Sequence, residues 1–221
     1  NDADAVVFQV PTGTTGVDFK GNIFTSTSGA DNFRAGEGAG DSIASGGDRN
    51  VVIGKNAGTA LTTGDSNVAI GWEALKTEDA HANNVAIGHA ALTTQNAGAD
   101  AYNVAIGYNA GTSVTTGLRN NLLGGLAGDA LTDGNDNVAI GYQALTADTQ
   151  GDNSVAIGNN ALFSQNGTNG SVYNVAVGKN AGFAITTGIQ NTLIGGLAGD
   201  ALTTGSNNTV VGAQGALGAD T

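Results

Sequence analysis

The nine residues NVAIGYNAG, Asn103 to Gly111, return along the chain as NVVIGKNAG from Asn50, NVAIGWEAL from Asn67, NVAIGHAAL from Asn84, NVAIGYQAL from Asn137, SVAIGNNAL from Ser154 and NVAVGKNAG from Asn174. Counted on the glycine that closes the five-residue core, the copies fall at Gly54, Gly71, Gly88, Gly107, Gly124, Gly141, Gly158, Gly178, Gly195 and Gly212. Seven of the nine steps equal the first, Gly54 to Gly71, and the steps into Gly107 and Gly178 are slightly longer. An eleventh copy, NFRAG with Gly36, stands one step upstream. A unit of about 17 residues cannot bury a core alone, so repetition on this scale points to stacked units.

Each copy reads as one short β-strand. Val-Ala-Ile lies between an asparagine and a glycine, both turn residues, with the two larger aliphatics on one face and alanine on the other. A helix is excluded by the frequency of glycine, which costs about 1 kcal/mol per residue relative to alanine, and by the lack of any 3.6-residue spacing. Strands that return about every 17 residues stack at about 4.8 Å, each coil burying its aliphatics against the next. The expected fold is all-β, a parallel β-solenoid or β-roll of about eleven coils of about 17 residues, a rod roughly 50 Å long.

Columns follow from stacking. Four residues before the glycine stand Asn32, Asn50, Asn67, Asn84, Asn103, Asn120, Asn137, Asn174, Asn191 and Asn208, with Ser154 the one exception. An asparagine at the same corner of every coil is expected to donate its amide to the one above, forming a ladder. Three residues after the glycine is alanine in every copy but the last, where Gly215 stands.

A longer order overlies the coils. The two insertions, QNAGADAYN and QNGTNGSVYN, end on Tyr102 and Tyr173, four coils apart, and GGLAGDALTDG from Gly124 returns as GGLAGDALTTG from Gly195. The solenoid is assigned to residues 31–221. Residues 1–30, where VVFQV and GVDFKGNIF flank the turn PTGTTG, do not fit the ladder and read as a β cap or a junction to a preceding segment. The abrupt beginning and end look like a cut in a longer array.

Composition narrows the functional classes. Thirty-seven glycines with a single proline and no Gly-X-Y register rule out collagen, and a hydrophobic share of 40% in fixed columns is unlike a disordered chain. A net charge of −12 argues against a nucleic-acid partner. There is no cysteine, and no stretch approaches the ~18 consecutive apolar residues of a membrane-spanning helix.

Chemistry-bearing motifs are sparse. His81 and His89 are the two histidines and neither stands in a metal-protease motif. The glycine cluster GEGAGD from Gly36 lacks the lysine of a phosphate loop, and Lys55 and Lys179 lack the upstream glycine, so no cofactor is expected. Asp65, Asp136 and Asp152 offer oxygen ligands for calcium, but Asp and Asn also favour turns by bonding their own backbone, and the turn reading is preferred. Glu37, Glu73 and Glu78 show no repeating partner of the kind a glycan-cleaving spike requires. The double-threonine steps at Thr62, Thr93, Thr115, Thr186 and Thr203 skip coils and suit β-edges better than an ice-binding array.

The most suggestive column is the residue just after the glycine, which includes Lys55, Trp72, His89, Tyr108, Tyr142, Asn159 and Lys179. Lysine and asparagine there imply an outward position. Trp72, His89 and Tyr108 would then stack on successive coils, with Tyr142 further along, as a platform for a sugar ring or as filling between protomers. The inserted loops at 95–102 and 165–173 are a second candidate, since binding residues concentrate on loops held by a rigid scaffold.

The motif carried by these columns, Asn-Val-Ala-Ile-Gly followed three residues later by alanine, resembles the head repeats of trimeric autotransporter adhesins. The alternation of NVAIGYQAL with TTG is similar to the repeat shafts of bacteriophage tail fibres. The resemblance covers about residues 30–215. It implies a homotrimer that spans distance in a virion tail, joins other tail proteins and supports attachment to a host polysaccharide or protein receptor, without catalysis. It equally fits a bacterial surface adhesin or extracellular filament, and less well a glycan-cleaving tailspike.

Overall fold

A computed structural model describes residues 28–167 and 170–214. The segments VVFQV, PTGTTG and GVDFKGNIF, read as a cap, and the C-terminal GALGADT lie outside the described residues. Eleven three-residue strands, from Phe33–Ala35 to Thr209–Val211, form one sheet in chain order. All adjacent pairs are parallel and in register, so that Val68, Ala69 and Ile70 lie opposite Val85, Ala86 and Ile87. The insertions do not disturb this order: Ile87 still meets Ile106 and Val155 still meets Val175. The second insertion adds a two-residue parallel bridge, Gly170–Ser171 beside Gly151–Asp152. The chain is a parallel β-solenoid whose strand sheet runs about 48 Å, ten intervals of about 4.8 Å.

The glycine that sets the period is required twice over. At Gly71 the backbone has φ of 133°, and a Cβ there would lie 2.3 Å from the carbonyl oxygen of Gly88. Any side chain would push the coils apart while adopting a conformation that favours glycine.

The sidedness of the strands reverses the expectation that the larger aliphatics are buried. Ala69, Ala86, Ala105, Ala139, Ala156 and Ala176, at the strand centres, are fully buried, whereas the flanking valines and isoleucines are half-buried or exposed. The reason is the period-two alternation: asparagine and alanine share the inward face, so valine and isoleucine must point out. The coil is thin, and its interior is already filled from the opposite wall.

That filling explains the four-coil order. Two coils carry glycine four residues after the anchor and an aliphatic three residues later, as in Gly111 with Val114 and Gly128 with Leu131. The next two carry leucine at the first position and a polar residue at the second, as in Leu145 with Asp148 and Leu162 with Gln165. All four leucines of this kind, Leu75, Leu92, Leu145 and Leu162, are fully buried with φ between 48° and 56°. Their glycine counterparts take similar angles, and a Cβ on Gly58 would lie 2.8 Å from Leu61 Cδ1. One core slot is thus served from either of two positions. Leucine takes it directly at a cost of roughly 1 kcal/mol in backbone conformation, or glycine leaves it to the later aliphatic.

The ladder is present, with a different bond from the one expected. From Asn32 to Asn191 each asparagine's Oδ1 accepts the backbone N–H of the ladder residue one coil on, as in Asn50 to Asn67 at 2.8 Å, Asn103 to Asn120 at 2.8 Å and Asn137 to Ser154 at 2.9 Å. The Nδ2 donates to a nearby carbonyl, Gly64 from Asn50 and Gly134 from Asn120, each at 2.8 Å. Amide-to-amide bonds occur at Asn84, Asn191 and Asn208. Backbone donors buried at this corner must be satisfied, and the asparagine oxygen is the group placed to do it. At Ser154 the short side chain cannot span the gap, and Gln165 bridges Ser154 Oγ to Asn174 Nδ2 instead, at 2.9 Å on each side.

Where leucine holds the slot, the later position is buried and polar. Asp148 accepts N–H bonds from Gly151 at 2.9 Å and Gln150 at 3.3 Å, together with the Gln165 amide. Burial pushes its carboxyl above the ordinary 3.8, and those hydrogen bonds only partly offset the shift. A raised native pKa means the folded state binds more protons, so this group's contribution falls as pH rises from the ordinary carboxylate range through the native pKa. Urea denaturation midpoints are therefore expected to fall as pH rises above the ordinary carboxylate range, with a shallower fall for Asp148→Asn. An equal drop in the variant would remove Asp148 as the source.

Candidate functional site

The outward columns of the sheet make one continuous surface. Before the anchor glycine, Ile53, Ile70, Ile87, Ile106, Leu123, Ile140, Ile157, Val177, Ile194 and Val211 run unbroken along the rod. Two residues earlier, a valine column is interrupted by Asn121, Thr192 and Thr209. No charged residue stands in either column from Phe33 to Val211. Ile106, Ile140 and Ile194 are 38%, 37% and 41% exposed, so this is an uncovered apolar strip about 48 Å long. Contiguous exposed apolar surface of this kind is the type on which proteins meet partners or ligands.

Beside it runs the column that follows the glycine. Its first described members, Glu37 and Lys55, form an ion pair at 2.9 Å. Trp72, His89 and Tyr108 then stack face to face, with ring centroids 4.5 and 5.1 Å apart and planes inclined by 26° and 24°. The coil rise sets this spacing, because side chains at equal positions of stacked strands are held near the distance that aromatic rings favour. Tyr142 is exposed but stands apart from the stack. Gly125 occupies the intervening coil, and Tyr142 Cδ2 lies 3.5 Å from where a Cβ on that glycine would be.

Sequence reasoning missed a second stack. Phe163 and Phe183 lie 5.0 Å apart with planes 10° from parallel. The signal was available, since both stand five residues after their anchor glycines.

The inserted loops are tied at their entrances. Gln95 is fully buried and accepts the Asn103 amide at 2.6 Å, while Asn96 N–H donates to Thr115 O at 2.9 Å. Tyr102 and Tyr173 project into solvent from positive-φ backbone at 53° and 55°, more than half exposed. They sit four coils apart on one side of the rod, about 19 Å by the strand spacing.

The acids weighed for calcium all have protein donors. Asp65 accepts Asp48 N–H at 2.6 Å and pairs with Arg49 at 2.8 Å. Asp152 accepts Asn135 N–H at 2.7 Å. Asp136 is gripped by Arg119 Nε and Nη2 at 2.7 and 2.8 Å, and that guanidinium holds its carboxyl below the ordinary range. These are turn and inter-coil contacts. The three glutamates have basic neighbours: Glu37 with Lys55 at 2.9 Å, Glu73 with Lys76 at 2.8 Å and Glu78 with His81 at 2.9 Å.

No family profile, no curated protein and no solved structure matches the chain.

Proposed function

We propose that this chain is a shaft segment of a bacteriophage tail fibre, in which three copies pack through their apolar sheet faces and the assembled rod spans distance to a bacterial surface. The observation that carries the reading is the uncharged apolar strip along the rod. Three chains of −12 bring −36 together, and the strip is the surface on which such chains meet without opposing charges. Rigidity comes from in-register stacking, which makes each coil a template for the next. The role is structural and non-catalytic, and the segment joins other tail proteins at its ends.

Attachment is assigned to the aromatic stack. Trp72, His89 and Tyr108 present a flat, half-exposed ladder of rings suited to the apolar face of a sugar, with Tyr142 as an outlying contact. The same rod on a bacterial cell would be a trimeric adhesin, and the repeat pattern fits that reading next best. A glycan-cleaving spike is third, because Glu37 and Glu73 pair with lysines and Glu78, though close to Asp79, is held by His81 with its side chain fully buried.

The test is binding of purified chain to a panel of bacterial surface polysaccharides, wild type against Trp72→Ala. Trp72 is 42% exposed and its ring contact is with His89, so the variant is expected to stay folded with a stability loss of about 1 kcal/mol. Its affinity for the polysaccharide that wild type binds should fall roughly tenfold, the loss of about 1.4 kcal/mol of stacking. Equal binding by both proteins would remove the stack as the contact. Release of reducing sugar would move the glycan-cleaving reading to the front.

A further inference from the structure

We propose that Glu78, Asp79 and His81 form a binding site for a divalent transition-metal ion of the Zn²⁺ type, at the turn that leaves the third coil. Glu78 holds the buried polar position that follows Leu75, and its side chain is 0% exposed. Its Oε1 lies 2.9 Å from His81 Nδ1 and accepts the His81 backbone N–H at 3.2 Å. Its Oε2 is buried with no hydrogen-bond partner. An ionisable oxygen buried without a partner costs several kcal/mol unless something answers it, which is a reason to look for a cation.

The geometry around it suits one. Asp79 Oδ1 is 3.8 Å from His81 Nδ1, and one ligand atom from each of the three residues lies within 4.8 Å of the others. Bonds of about 2.0–2.1 Å in a tetrahedral site place ligand atoms about 3.4 Å apart. The observed 2.9 and 3.8 Å bracket that separation, and the Glu78–Asp79 pair lies within 4.8 Å, so side-chain rotation brings all three atoms onto one ion. One imidazole and two carboxylates form the mixed nitrogen and oxygen set that zinc accepts, whereas calcium takes six to eight oxygens. His81 and Asp79 are 21% and 49% exposed, which leaves a path from solvent and room for a water in the remaining position.

The coil four turns on is an internal control. Its buried acid, Asp148, is followed by Thr149, Gln150 and Gly151 where the third coil has Asp79, Ala80 and His81. There the carboxylate is answered by protein donors from Gly151, Gln150 and Gln165. Next to the third coil the glutamine that corresponds to Gln165, Gln95 of the fourth coil, turns to Asn103 and to Thr115 O, leaving Glu78 Oε2 unanswered. Ligand-type residues and the orphan oxygen therefore occur together in one coil, and both are missing from its counterpart. A bound ion would tie the 78–81 turn and neutralise the buried carboxylate, stiffening the rod where two leucine-filled coils meet.

Calorimetric titration of the metal-free full chain with ZnCl₂ near pH 7.5 tests this. The expected result is one saturable site per chain, weakened at least tenfold in His81→Ala and in Asp79→Asn, and unchanged in His89→Ala, which removes the other histidine. Both weakening substitutions lie on partly exposed side chains, and unchanged circular dichroism verifies that the variants are folded. Millimolar Ca²⁺ or Mg²⁺ should not displace the zinc. The proposal is overturned by absence of a one-to-one site, by binding that survives both His81→Ala and Asp79→Asn, or by binding lost in His89→Ala.

Discussion

Gly124→Val is expected to split the solenoid. Gly124 sits at mid-rod with φ of 139°, and a Cβ would meet the Gly141 carbonyl oxygen at 2.4 Å and its carbon at 2.6 Å. These are backbone atoms that can yield only by separating two coils. A β-branched residue must also enter a conformation reserved for glycine. The combined cost should exceed about 4 kcal/mol, at the far end of single-substitution effects. In a linear repeat each coil is stabilised by its neighbours, so weakening one central interface lowers cooperativity as well as stability. Urea denaturation should show an earlier and broader transition, or two. The matched control is Gly98→Ala, at φ of 70° with nothing within 4 Å of the added Cβ, which should cost only about 1 kcal/mol. Comparable losses at both sites would mean that close coil approach is not what demands the anchor glycine.

The second large effect is a rescue. Leu92→Gly empties the core slot of the fourth coil, where the leucine is fully buried and its Cδ2 comes within 3.0 Å of where a Cβ on Gly111 would be. The loss should be about 3–5 kcal/mol, the range for removing a buried leucine. Adding Gln95→Leu recreates the arrangement of Gly58 with Leu61 and should restore more than half of that loss. The replaced glutamine leaves little behind, since Asn103 Nδ2 still donates to Gly117 O at 2.7 Å. Denaturation of the two single variants and the double variant gives the coupling directly. Additive losses would show that the two coil types are not interchangeable fillings of one slot.

Much of this architecture was legible from one chain because the chain is its own alignment. Eleven copies expose the period, the asparagine corner and the glycine anchor, and stacking converts those columns into a fold without further information. What the repeats could not reveal is which face of Val-Ala-Ile points inward. Three residues contain barely more than one alternation, and hydrophobicity alone favours burying the larger pair. The deciding fact is the thin coil, filled from its far wall by Leu75, Leu92, Leu145 and Leu162 or by Leu61, Val114, Leu131 and Ile185. That reciprocity of glycine with aliphatic and leucine with polar was written in the sequence, but its meaning depends on both positions converging on one slot. The ladder itself was legible, but the expected amide-to-amide bond forms only at Asn84, Asn191 and Asn208, for a related reason. Identical side chains in a column suggest bonding to each other, while the more urgent need is the buried peptide N–H beside them.

The candidate site divides in the same way. The stack of Trp72, His89 and Tyr108 follows from period alone, and Tyr142 is separated because Gly125 takes the rung between. The apolar strip became visible only when the strands' sidedness was known. Glu78 looked like one more dispersed acid until its burial and its unanswered oxygen set it apart.

The most direct measurement of the central claim is the native mass of the purified chain by light scattering in physiological salt at micromolar concentration. Packing through the apolar strip predicts a stable particle of three times the 21.6 kDa chain mass. A single species of 21.6 kDa that persists as concentration rises would contradict the trimeric fibre and leave a self-sufficient single-chain solenoid.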